Sequence, residues 1–261
     1  LSPADVRYWH DVGQRWVGAG RDVLWRRHCD AVNSRLLSRW LPHASTACLL
    51  KTDLFDEALT GGLASRLRGS AKTIVGMDLS LAIAREAAAR CPDILSIRAD
   101  ARQLPFADRA FDTVVSLSTL DHFRTRDELK TSLRELGRIL RGGGTLVLTM
   151  DNPRNPLIGL RNALPYALLN RLGVVPYFVG VTAGPRGIQA MLREAGFTVV
   201  ETTSILHCLR VLTVPLCRLI QRFGDEPSRG KLLSLLLWLE GLGRLPTHFT
   251  TGNFVAVLAR K

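Results

Sequence analysis

Hydrophobic positions along the 261-residue chain follow two alternating rhythms. Short runs rich in apolar residues at 47–50, 73–77, 94–98, 111–117 and 145–148 have the length of buried strands. Between them the spacing changes to every third or fourth residue, which predicts helices over 54–67, ending near Gly69, and over 81–90, behind Ser80. A third helix follows Thr125, where Thr125 and Glu128 form a capping-box pattern and Leu129, Leu133, Leu136 and Leu140 share one face. Arg141-Gly142-Gly143-Gly144 then breaks the chain ahead of the fifth strand. Strands alternating with amphipathic helices predict an α/β protein with a doubly wound sheet, because each sheet face must be covered.

Beyond the fifth strand the rhythm is less regular. Residues 153–184 are apolar with spaced arginines and are long for a simple connection. A helix over 188–195, stopped by Gly196, leads into a strand at 197–203, then a second apolar segment at 210–246 and a final strand at 254–259. At the other end, Trp25, Cys29, Val32, Leu36 and Leu37 recur at helical spacing, which predicts two helices packed over the sheet. The expected organisation is a helical cap over residues 1–45 and one domain over 46–261, with insertions at 153–184 and 210–246.

Composition narrows the classes without choosing one. A hydrophobic content of 46% is enough for one large, well-buried core. The formal charge is +12, carried almost wholly by arginine, since Lys51, Lys72, Lys130, Lys231 and Lys261 are the only lysines. Such a balance permits nucleic acid, anionic lipid or acidic substrates and selects none. Cys29, Cys48, Cys91, Cys208 and Cys217 lie far apart without a CxxC pair, so they read as reduced thiols of a cytoplasmic protein, not as disulfides or zinc ligands. The N-terminus has no signal pattern and no apolar run reaches membrane-spanning length, so the expectation is a soluble or peripherally attached protein.

The segment from 97 to 152 carries a resemblance to a known family. Asp100-Ala101, Leu104-Pro105-Phe106, Phe111-Asp112 and residues 136–143 before Thr145-Leu146-Val147-Leu148 resemble the core of class I S-adenosylmethionine (SAM)-dependent methyltransferases, particularly their small-molecule, quinone- and sterol-type branch. The resemblance implies a Rossmann-like sheet of seven strands with the last antiparallel, and SAM as cofactor. It implies that Asp78, after the second strand, accepts from both ribose hydroxyls. Asp100 would accept from the adenine amino group, Ala101 would offer its backbone amide, Leu79 would supply an apolar wall, and Ser118 would lie by the transferable methyl. The N-terminal helices would cover the cofactor.

One stretch departs from that pattern. Where the family places an acid followed by glycines, this chain has Lys51, Asp53, Phe55 and Glu57. Glycine at such a turn lets backbone approach a ligand closely, and these residues do not. Three explanations stand: side-chain binding, with Asp53 or Glu57 taking the methionine ammonium and Lys51 its carboxylate; loss of cofactor binding; or a shifted turn at Gly61-Gly62. Opposite charges where a zwitterion must sit favour the first.

Chemistry is expected at the fourth strand's exit, because ligands collect at the carboxyl ends of parallel strands. His122, with Asp121 beside it, is the candidate general base, since imidazole exchanges protons near neutral pH. Asp151, Asn152 and Tyr177 are candidate substrate contacts. The apolar insertions suggest a small hydrophobic or aromatic acceptor, a homodimer contact or a peripheral membrane contact. The expected activity is methyl transfer from SAM to such an acceptor. Two alternatives are a SAM-binding scaffold without turnover and a nucleic-acid methyltransferase, although no appended RNA-binding module or basic aromatic motif marks a clear nucleic-acid partner.

Overall fold

A computed structural model describes residues 3–41 and 46–261. The expected boundary between cap and sheet domain falls at 42–45, outside the described residues. Seven strands, β1 (Thr46–Lys51), β2 (Ala71–Asp78), β3 (Leu95–Arg98), β4 (Phe111–Leu117), β5 (Leu140–Asp151), β6 (Thr198–Ile205) and β7 (Phe254–Arg260), form one sheet in the order β3-β2-β1-β4-β5-β7-β6. β1 to β5 pair in parallel, and β7 runs antiparallel between β5 and β6. The Rossmann-like sheet with its last strand antiparallel is as the sequence led one to expect.

The helices are α1 (Pro3–Trp16), α2 (Val23–Trp40), α3 (Phe55–Thr60), α4 (Ala64–Arg68), α5 (Leu81–Arg90) and α6 (Arg126–Ile139), followed by α7 (Pro156–Ala163), α8 (Tyr166–Arg171), α9 (Pro185–Glu194), α10 (Arg210–Phe223), α11 (Glu226–Leu239) and α12 (His248–Thr251). Period-two alternation along each strand sorts side chains between two cores. Leu49, Val115, Val147 and Ala256 face a layer containing Leu36 and Leu37 of α2, Cys217 of α10 and Leu232 of α11. Their sequence neighbours Leu50, Val114, Leu146 and Val255 face Leu129, Leu133 and Leu136 of α6 with Ile188 and Leu192 of α9. The capping box forms as patterned, with Glu128 N donating to Thr125 Oγ1 at 3.2 Å and Thr125 N to Glu128 Oε2 at 3.1 Å.

Two expectations are corrected. The helix expected over 54–67 is two short helices, α3 and α4, separated where Gly61 and Gly62 adopt φ of +84° and +45°. A Cβ on Gly62 would lie 2.7 Å from Glu57 Oε1 and 2.9 Å from its backbone nitrogen, so the turn is closed tightly around that carboxylate. The 188–195 helix begins earlier, at Pro185, because proline at the first helical position needs no hydrogen-bond donor. Among the described residues no helix is long and apolar enough to cross a membrane.

Candidate active site

The parallel strands deliver their carboxyl ends to one edge of the sheet, where α1 and α2 lie above two adjoining cavities. The first, about 190 Å³, is lined by Asp53, Asp78, Leu79, Asp100, Ala101 and Ser118 at the ends of β1 to β4, and by Tyr8 and Trp9 of α1. Asp78 closes β2, where Ser80 N donates to Oδ1 at 2.8 Å and Leu54 N to Oδ2 at 3.2 Å. Burial, with Asp53 nearby, pushes its carboxyl up to about 7. Each oxygen keeps a lone pair for a further donor.

Asp100 is more committed than its sequence role implied. Arg102 grips it with Nε at 3.0 and 3.1 Å and Nη2 at 2.7 Å, and also reaches Asp5 of α1 and Glu128 of α6. That fork ties three elements together beside the cavity.

The glycine-poor stretch is resolved by a buried ion pair. Lys51, 1% exposed, donates from Nζ to Glu57 Oε2 at 2.8 Å, to the Asp53 carbonyl at 2.8 Å and to Asp53 Oδ2 at 3.2 Å. All three ammonium protons are used. Burial alone would lower the lysine's proton affinity, but Asp53 and Glu57 outweigh it and the net shift is upward. Glu57, fully buried, accepts from Leu63 N at 3.0 Å and lines neither cavity. Lys51 and Glu57 therefore neutralise each other, and only Asp53 of the three expected contacts borders both cavities. Gly61 and Gly62 border neither cavity.

The second cavity, about 510 Å³, lies between α2, the 153–184 segment and α10. Its walls include Leu157, Leu160, Leu164, Val174, Val211 and Val214, and its floor carries Asp121, His122 and Asp151. Sequence neighbours usually point apart, but here the single 3₁₀ turn Leu120–His122 brings Asp121 Oδ1 to 3.9 Å from His122 Nε2. His122 Nδ1 lies 2.8 Å from the Phe178 carbonyl. A carbonyl only accepts, so Nδ1 carries the proton and Nε2 is left with a free lone pair. His122 and Ser118 line both cavities. Ser118, at φ +51°, donates from Oγ to Asp121 Oδ2 at 3.1 Å. Burial raises the Asp121 carboxyl, and its Oδ1 has no hydrogen-bond partner.

Of the expected substrate contacts, Tyr177 belongs to an aromatic cluster above His122, with ring centres 5.6 Å from His122, 5.9 Å from Phe55 and 6.0 Å from Trp9. Asp151 lines the chamber and pairs with Arg161. Asn152 does not belong to the site: wholly buried, it donates to the carbonyls of Phe249 at 2.7 Å and Gly252 at 2.9 Å and accepts from Arg154 N at 3.0 Å, which fastens β5 to the turn before β7.

Comparison with known proteins agrees with this fold. A family model described as a methyltransferase domain matches residues 58–148. A demethylmenaquinone methyltransferase of Thermus thermophilus is 31% identical, over 73% of this chain and 88% of that protein. The chain belongs to the class I SAM-dependent methyltransferases. A second demethylmenaquinone methyltransferase, from Beutenbergia cavernae, is 31% identical over 74% of this methyltransferase and 80% of its own length. A SAM-dependent methyltransferase of known structure from Thermotoga maritima shares the fold with a TM-score of 0.61 at 16% identity, over 98% of this chain and 97% of that one.

SAM is the cofactor, and the chemistry of the first cavity fits it. The Asp78 carboxylate suits a vicinal diol, the acids at Asp53 and Asp100 suit amino groups, and Leu79, Met77 and Ile83 give a flat ring apolar walls. Several lining residues escaped the sequence reading. Arg26 pairs with Asp56 while its guanidinium stacks 5.1 Å from the Trp16 ring centre and 4.8 Å from that of Phe55. Tyr8 accepts from Phe178 N at 2.7 Å and meets Tyr166 Oη at 3.0 Å, which ties α1 to the 153–184 segment. Nothing in an arginine-rich sequence separates Arg26 or Arg210 from the rest.

Proposed function

We propose that this methyltransferase methylates a small, largely apolar acceptor seated in the larger chamber, with His122 as general base. The observation that carries the reading is the position of His122 on the wall shared by the two cavities, with Nδ1 bound to the Phe178 carbonyl and Nε2 free. SAM supplies an electrophilic methyl on a sulfonium, so the protein's contribution is alignment and proton removal. The acceptor's oxygen or activated carbon gains the methyl and gives up one proton, which His122 Nε2 takes. Asp121, 3.9 Å away, then lies beside the imidazolium and offsets its charge. Asp53, Asp78, Asp100, Ala101, Leu79 and Ser118 hold the cofactor, with Lys51 and Glu57 setting the position of Asp53. Tyr177 and Asp151 contact the acceptor.

A hydrophobic acceptor is supported by the apolar chamber wall and by the relatives named for demethylmenaquinone. Contact with a membrane surface is supported by exposed apolar side chains, Leu160, Leu172 and Val211 at the chamber and Leu212 next to it in α10, all 56–66% exposed, and by the exposed Arg154 and Arg171 of the 153–184 segment. The test of the base is His122→Gln. It is expected to lower turnover by about 10²–10⁴-fold on a phenolic or quinol acceptor while SAM affinity, read by calorimetry, stays within about twofold. Turnover unchanged by the substitution would remove His122 from the mechanism.

A further inference from the structure

Five cations line the acceptor chamber: Arg26, Lys51, Arg161, Arg210 and Arg218. Four of them have a carboxylate partner on the protein. Arg26 is held by Asp56, Lys51 by Glu57 and Asp53, Arg161 by Asp151, and Arg218 by Asp22 at 2.6 and 3.0 Å. Among the described residues, Arg210 has neither an ion pair nor a side-chain hydrogen bond. Its recorded side-chain contact is with the Trp25 ring, whose centre is 5.9 Å from the guanidinium carbon. Arg210 lines the chamber together with Cys29, Asp151 and Tyr177 and is partly buried there.

The surroundings of Arg210 sharpen this. It is the first residue of α10, whose N-terminus has no side-chain cap, so the positive end of the helix dipole adds to the arginine's field. With no carboxylate paired to it among the described residues, this partly buried guanidinium keeps its donors open to an anion in the chamber. On the chamber floor Asp151 Oδ1 is buried without a hydrogen-bond partner and is open to a donor. The vacant hydrogen-bonding positions thus describe a ligand that has an oxyanion and a hydroxyl on an apolar body.

We propose that Arg210 is a specificity-determining residue that binds an oxyanion of the acceptor, so that this methyltransferase selects an acidic apolar molecule over its neutral counterpart. This rests on the chamber being the acceptor site. The oxyanion is either a carboxylate remote from the methylated atom or a phenolate at the reacting centre, and both are met by the same planar fork of donors.

The full chain saturated with S-adenosylhomocysteine is titrated calorimetrically at pH 8 with two matched pairs, 2-naphthoate against 2-naphthamide and 4-nitrophenolate against nitrobenzene. At least one anion is expected to bind on the order of ten- to a hundredfold more tightly than its neutral match. Preference confined to naphthoate identifies a remote acid, and preference confined to nitrophenolate identifies the reacting oxygen. Arg210→Gln is expected to erase the preference without weakening the neutral ligands, and Arg210→Lys to restore part of it. His122→Gln should leave the preference intact, so failure of the base does not count against Arg210. Equal binding of anion and neutral match in both pairs, a preference that survives Arg210→Gln, or no binding of any probe at millimolar concentration would each overturn the proposal.

Discussion

Removing the Lys51 ammonium is the most informative single perturbation, because this buried charge stands where the family pattern calls for an acid and glycines. In Lys51→Met, Glu57 is left fully buried with one remaining donor, Leu63 N, while Asp53, 19% exposed, retains access to water. The cheapest response for Glu57 is to take up a proton. From an ordinary glutamate value near 4.3 that costs about 3.7 kcal/mol at pH 7 and about 1 kcal/mol at pH 5. The pH 7 figure lies within the 3–5 kcal/mol typical of a buried pair broken on one side. For a chain of this length the unfolding entropy is roughly 0.55 kcal/mol per degree, so Tm should fall by about 7 °C at pH 7 and by about 2 °C at pH 5. Differential scanning calorimetry of Lys51→Met and of Lys51→Met/Glu57→Leu at both pH values provides the assay. The double variant should recover most of the loss, since no buried charge is left behind. A loss that is the same at both pH values, or a double variant less stable than the single one, would refute the reasoning.

The remaining predictions concern the cofactor and the rim. Burial raises Asp78 to about 7, and if it holds the cofactor as an anion, as proposed, SAM affinity should be full above that pH and decline as pH falls through it. Between pH 8 and pH 6 the ionised fraction drops about tenfold, and Kd by calorimetry should rise by about that factor. Asp78→Asn should bind SAM more weakly at pH 8 and lose the pH dependence; an unchanged profile would exclude Asp78 as the diol acceptor. The chain should co-sediment with anionic vesicles at low salt and be released as ionic strength rises. Leu160→Glu and Leu212→Glu together should weaken that association several-fold without changing Tm, and vesicle binding untouched by both would place the membrane contact elsewhere or nowhere.

Much of the fold was legible in the sequence. Apolar runs and helical spacing depend on neighbours a few residues apart, and burial on both faces of a parallel sheet writes itself into each strand as continuous hydrophobicity. The ends of β2, β3 and β4, with Asp78, Asp100 and His122, followed from those runs and from the family resemblance. The short-range patterns likewise marked Thr125 and Glu128 as a cap and Ser80 as the start of α5, where its Oγ accepts from Ile83 N.

Pairing of charges was not legible, because partners are chosen across the fold. Lys51 and Glu57 lie six residues apart and read as ligands for a zwitterion, yet the connection from β1 into α3 brings them onto each other, and Gly62 packs over the Glu57 carboxylate. Asn152 looked like a pocket residue from its place after β5, and only the approach of the 249–252 turn made it a fastener. Arg210 is one of many arginines in the sequence, and its lack of a carboxylate partner exists only once α2, α10 and the 153–184 segment enclose a common chamber. The sequence by itself determined the sheet, the family and the edge at which the two cavities open, since these rest on local periodicity and a contiguous motif. The tertiary structure alone decided which charges cancel and which stay open to a ligand, because electrostatic pairing in a folded chain is set by distances that sequence separation does not encode.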